Sequence, residues 1–154
     1  MCAGTLLAGA AAAAYFELHH QSLAVSAETA NAEFDRLRAR FAGQRPLVDM
    51  EARQAVDVPP SPVTASVRSF HTVIFDTRGG TPRLIHLTAP PLFARAFAHR
   101  DGHFRWLGEL TFLDDTEFDP EPIQLSFEAI KRRGPGLLVD YRHPGGGQFL
   151  AWVE

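Results

Sequence analysis

The sequence predicts an α+β chain: an N-terminal apolar helix continuing into an amphipathic helix, then a mostly antiparallel sheet of about five strands, with one or two short helices on one face. Three observations carry that expectation. Ser66 to Asp76 and Arg83 to Ala89 are strand-like runs joined by a glycine-containing turn. Leu137 to Tyr141 and Gln148 to Val153 repeat the arrangement around the turn His143-Pro-Gly-Gly-Gly147. Between these pairs, Ser126 to Gly134 carries the end signals of a helix.

The chain opens on Cys2 to Phe16, fifteen residues without a charge, followed by Glu17, His19 and His20. As a helix it would span roughly 22 Å, against a hydrocarbon core of about 30 Å. Three readings stay open. The segment is a single-pass anchor, which a start upstream of Met1 would lengthen. It is a signal peptide cut near Ala12-Ala13-Ala14, although no basic n-region precedes it. Or it is a buried helix. The anchor is the leading expectation, with membrane contact through residues 2–16. No Lys or Arg occurs from Glu17 to Asp35, and cytoplasmic flanks usually carry them. The domain that follows is therefore expected outside the cytoplasm, on a single-pass protein.

From Ser22 to Phe41 the apolar positions are Leu23, Ala27, Ala30, Phe34, Leu37 and Phe41. Gaps of four and three alternate, the period of a helix with a narrow apolar stripe. Glu33–Arg36 and Asp35–Arg38 are placed as i,i+3 pairs, and Gly43 is placed to end the helix. The stripe either packs on its own domain or makes a homodimer or partner contact through the 23–41 helix. The expected division is residues 1–43 as membrane segment and stalk, and 44–154 as a small α+β domain.

Pro46 to Met50 and the region of Ala55 to Asp57 read as short strands. Three prolines between Val58 and Val63 remove ladder donors and make that stretch a connector. Ser66 to Asp76 places Val67, Ser69, His71, Val73 and Phe75 on one face, and Arg68, Phe70, Thr72 and Ile74 on the other. Apolar groups on both faces mark a central strand. Pro90-Pro91 ends its partner. Leu92 to Ala98 reads as a short helix, His99 to His103 as a loop, Phe104 to Leu113 as apolar with strand character, and Asp114 to Pro122 as an acidic loop. Ser126 is the expected N-cap of the last helix, Lys131, Arg132 and Arg133 fill its last turn, and Gly134-Pro135 stop it.

Ala42 to Met50 (AGQRPLVDM), the proline-rich connector, Ser69 to Thr77 (SFHTVIFDT) and Glu128 to Glu154 together resemble a family of small bacterial proteins with an N-terminal membrane segment and no assigned function. Those proteins begin with basic residues before a longer apolar run, a point at which this chain departs. The resemblance implies an anchored domain and supplies no chemistry.

Composition narrows the function classes. The chain has 154 residues, 15 basic and 18 acidic, for a net charge of −3. No basic run exceeds Lys131-Arg132-Arg133, which argues against a nucleic-acid face. The single cysteine, Cys2, allows neither a disulfide framework nor a thiolate metal cluster within one chain. No GxSxG, HExxH, CxxC, GxGxxG or Walker-type glycine loop occurs, and no cofactor is expected.

Seven histidines are present. If Val73 pairs with His86, then His71 and His86 are diagonal neighbours on one sheet face, about 7–8 Å apart. They are weak metal candidates, since a metal needs a third ligand, and the plainer reading is two half-buried, hydrogen-bonded imidazoles. His99 and His103 flank an Asp-Gly turn rather than a helix. Asp114, Asp115, Glu117, Asp119 and Glu121 resemble a calcium loop, but Pro120 and Ser126 stand where an EF-hand needs Gly and Glu. Ser69, His71 and Asp76 are triad residue types without triad spacing. The leading expectation is a non-catalytic, membrane-anchored accessory or protein-interaction domain. The alternative is a small-ligand or metal-binding domain or enzyme using His71 and His86, with Asp76 nearby.

Overall fold

A computed structural model describes residues 20–52, 54–56, 66–78, 80–90, 103–104 and 125–154. Strand β1 (His20–Ala24) is followed by helix α1 (Ala27–Ala39). Strands β2 (Val48–Asp49) and β3 (Gln54–Ala55) form a small ribbon. Then come β4 (Phe70–Asp76), β5 (Arg83–Ala89) and β6 (His103–Phe104). The chain continues through β7 (Leu125–Ser126), helix α2 (Phe127–Arg133), β8 (Gly136–Arg142) and β9 (Gln148–Val153). β6 pairs with β7. The main sheet has five strands in the order β1-β5-β4-β9-β8, every pair antiparallel. The α+β class and the antiparallel sheet agree with the sequence.

β4 is the central strand. Its two apolar faces each require a cover, and each receives one. Val73 and Phe75 join Leu84, Leu137, Leu150 and Trp152 under Ala30, Phe34 and Leu37 of α1. Phe70 and Ile74 join Ile85, Phe149 and Val153 under Phe127 and Ile130 of α2, with Leu47 and Val48 alongside. Phe34 and Ile130 are fully buried, and removing a side chain of that size from water is worth about 1.5–3 kcal/mol. The two helices therefore lie on opposite faces, not on one. The dual apolar character of β4 already demanded that arrangement.

The first helix also differs from expectation. It starts at Ala27, and residues 20–24 are instead an edge strand paired with β5. Ser26 is the reason for the break. Its backbone is extended and its Oγ accepts from the Thr29 N–H at 3.1 Å, an N-cap that fixes the helix start. Leu23 fits the helical period but lies outside the helix and is 57% exposed. A helix continuing from the apolar segment into α1 is thus interrupted by β1. The stripe itself, Ala30, Phe34 and Leu37, packs on the sheet of its own chain.

The β8–β9 hairpin closes around a turn in which His143 N donates to Gly147 O and Gly146 takes a φ of 95°. A bulge between Leu137 and Val139 sends consecutive residues Leu138 and Val139 into the same core cluster. Glu154 extends the β4–β9 ladder by exchanging backbone bonds with Ser69 at 3.0 Å each way. No helix among the described residues is long and apolar enough to cross a membrane. Residues 2–16, the 58–63 connector, the 92–98 helix, His99, the 105–113 strand and the 114–122 acidic loop lie outside the described residues.

Candidate functional site

The β4–β5 register sets the histidine geometry. Val73 pairs with His86, and His71 pairs with Thr88. His71 and His86 are therefore diagonal neighbours on the face that α1 covers. β9 brings a third participant, because His71 also pairs with Trp152.

His71 is half-buried among polar and aromatic side chains. Its ring lies flat on Trp152, with centroids 5.0 Å apart and planes 9° from parallel. Ser69 Oγ is 2.8 Å from Nε2 and Thr88 Oγ1 is 3.2 Å from Nδ1. Each hydroxyl can donate or accept, so either neutral tautomer is satisfied. Glu154 Oε2 stands 3.6 Å from Nε2. Arg40 reaches the same corner, with Nη2 2.5 Å from Glu154 Oε1 and its guanidinium 5.5 Å above the Trp152 ring. The Trp152 indole N–H donates to Glu154 Oε1 at 3.1 Å.

The electrostatics follow from those partners. Burial holds the His71 imidazole below its ordinary pKa, with Arg40 adding to the shift and Glu154 opposing it. The Trp152 and Arg40 hydrogen bonds hold the Glu154 carboxyl below its ordinary range, against a small opposing effect of burial. His71 is accordingly neutral and Glu154 ionised at neutral pH.

His86 has separate surroundings. Burial lowers its pKa, while Glu33 raises it and Arg36 lowers it further. Glu33 is itself bound to Arg36, at 2.9 and 2.6 Å. The two histidines share a face but not a set of ligands. Among the described residues, no three His, Cys, Asp or Glu side chains are grouped to hold a metal ion.

Asp76 lies at the opposite end of β4 and is only 5% exposed. Burial pushes its pKa up, but the Arg78 backbone and side-chain bonds and the charges of Arg78 and Arg83 prevail and leave it lowered. It ties the β4–β5 turn and does not orient His71. Ser69 and His71 meet, but the group on Nδ1 is the Thr88 hydroxyl, so a Ser-His-Asp triad is not formed. His103 belongs to β6, paired with Ser126.

Sequence reasoning missed Trp152, Glu154, Arg40 and Thr88. Their convergence depends on the β4–β9 pairing, which joins segments that are far apart in the chain. A concave region of about 360 Å³ lies between the 45–51 segment and the end of β8, lined by Arg45, Pro46, Met50, Tyr141 and Arg142 among others.

Among the described residues, the class defined by these features is an α+β domain with a five-stranded antiparallel sheet, one helix on each face and an exposed edge at β1. No protein-family model matches the chain, and no curated protein or solved structure matches it.

Proposed function

We propose that this chain is a non-catalytic interaction domain held at a membrane by residues 2–16, with the folded part outside the cytoplasm. The observation that carries the reading is the edge strand β1. Residues 21–24 are all exposed, including Leu23, and among the described residues β1 pairs only with β5. An open strand edge is a template for main-chain pairing with another polypeptide. This edge begins four residues after Phe16, so an anchor there would hold the docking edge beside the membrane. The resemblance to membrane-anchored bacterial proteins agrees with that placement.

A photo-crosslinker at Ser22 or Ala24, in the full chain in its native membrane, tests the reading. The same protein should be captured from both positions, and capture from Ala24 should be lost on Ser22→Pro, while a probe at Glu128, on α2, captures none. No adduct from β1, together with a monomeric purified chain, contradicts it.

A second reading rests on the surroundings of His71, where two hydroxyls, an indole and a carboxylate converge on one neutral imidazole. That arrangement suits a small polar ligand, or a metal whose remaining ligands are water or a bound molecule. Bound zinc, or a ligand-dependent rise in Tm, that disappears in His71→Ala or His86→Ala would favour it. Metal content unchanged by both variants would dismiss the two histidines as ligands.

A further inference from the structure

We infer that the occupant of the β1 edge is β1 of a second copy of this chain, paired antiparallel about a two-fold axis at Ser22. The inference rests on the interaction reading above and specifies its partner.

Hydrogen-bond parity determines which groups are available. Val25 N donates to Pro82 O at 3.2 Å, continuing the register in which Ala24 opposes Arg83. In an antiparallel pair, alternate residues direct both N–H and C=O at the same neighbour. Leu23 and Gln21 therefore bond toward β5. His20, Ser22 and Ala24 direct their backbone groups outward. A two-fold at Ser22 sets Ser22 against its own copy and His20 against the copy's Ala24. All three outward residues of each strand are then engaged, with about six inter-strand bonds. An axis at Gln21 or Leu23 would leave one of the three without a partner inside β1.

Charge favours the same occupant. No Asp, Glu, Lys or Arg lies between Glu17 and Glu28. Around a two-fold, a charged strand faces its own charge and is repelled, and β1 avoids that cost. It also lacks the lysine or proline by which edge strands block pairing. Leu23, the large apolar side chain left 57% exposed, comes opposite the copy's Gln21 and is covered by its stem. Pairing joins the two sheets into one continuous sheet. Two copies held in one membrane would also meet at raised effective concentration.

The test uses the full chain in native membranes, with Cys2→Ala removing the one natural thiol. Ser22→Cys is then oxidised with copper–phenanthroline. A hydrogen-bonded antiparallel pair places Cα atoms about 5.5 Å apart, within disulfide range. Most of the Ser22→Cys chain should run as a dimer. Leu23→Cys, offset along the strand from its own copy, should give roughly tenfold less. Ser22→Pro should abolish dimer capture by a photo-crosslinker at Ala24 while leaving Tm within a few degrees, because it removes only an outward N–H. Absence of the Ser22→Cys dimer overturns the inference. If the photo-probe at Ser22 then captures a different protein, the wider interaction reading survives; if it captures nothing, both fall.

Discussion

The His71 imidazole stacks on the Trp152 indole at 5.0 Å, with Glu154 Oε2 3.6 Å from its Nε2. The stack joins the central strand to the last strand, and it places a half-buried titratable group against Trp152 of the α1-side core.

That placement makes stability depend on pH. His71 and His86 both have pKa values below the ordinary 6.5 in the folded chain, chiefly through burial. The unfolded chain therefore binds more protons as pH falls below about 6.5, and stability declines from there down through the folded pKa values. Glu154, Asp76 and Glu33 are carboxylates with lowered pKa values, and their contribution is lost only at more acid pH. Denaturant melts should show an early acid limb starting near pH 6.5. His71→Gln, which keeps hydrogen bonding without titrating, should shrink that limb. An unchanged limb in His71→Gln and in a corresponding His86 variant would refute the assignment.

Arg38 bolts α1 to the terminal hairpin. Its Nε donates to Asp140 Oδ1 at 2.9 Å and its Nη1 to Gln148 Oε1 at 2.8 Å, while Gln148 Nε2 donates to Asn31 Oδ1 at 2.6 Å. The guanidinium also lies 5.2 Å above the Phe34 ring. Gln148 is buried, so Arg38→Ala leaves an acceptor unpaired and should cost about 2–4 kcal/mol. Arg38→Lys, which keeps charge but not the fork, should fall between. Urea unfolding of the three chains measures the order.

Gly136 opens β8 at a φ of 149°, and a Cβ there would stand 2.8 Å from Gln44 Oε1. That oxygen accepts from Leu137 N at 3.2 Å. Gly136→Ala should lose about 1–3 kcal/mol from backbone strain. Gln44→Ala in the same chain should restore little, because the side-chain tip moves easily and the backbone does not. Full rescue would show that crowding, not φ, sets the cost.

Deletion of residues 2–16 removes no residue of a described element, since β1 begins at His20. The shortened chain should stay folded and leave the membrane fraction, with Tm within a few degrees of the full chain. Aggregation would mark the apolar segment as core instead.

Much of the fold was legible in the sequence because its signals are local. Both hairpins, the turn glycines and the α2 stop at Gly134 depend on neighbours in the chain. The β4–β5 register that places His71 and His86 on one face was one of two the sequence left open, because a one-residue slip would put them on opposite faces. β1 was not, because Leu23 falls by coincidence on the period of α1. The break at Ser26 is decided by its own cap and by strand pairing with β5. The Trp152–Glu154–Arg40 surroundings of His71 were hidden because they need the β4–β9 register and the docking of α1 at once. The opposite placement of the helices was implied by the two apolar faces of β4.

The proposed function requires residues 2–16 to hold the chain in a membrane with its folded part outside the cytoplasm. Protease accessibility of a C-terminally tagged chain tests it most directly, in cells stripped of outer barriers and again after lysis. The account predicts cleavage before lysis, with the protein in the membrane pellet. Protection until lysis, or recovery in the soluble fraction, would contradict it.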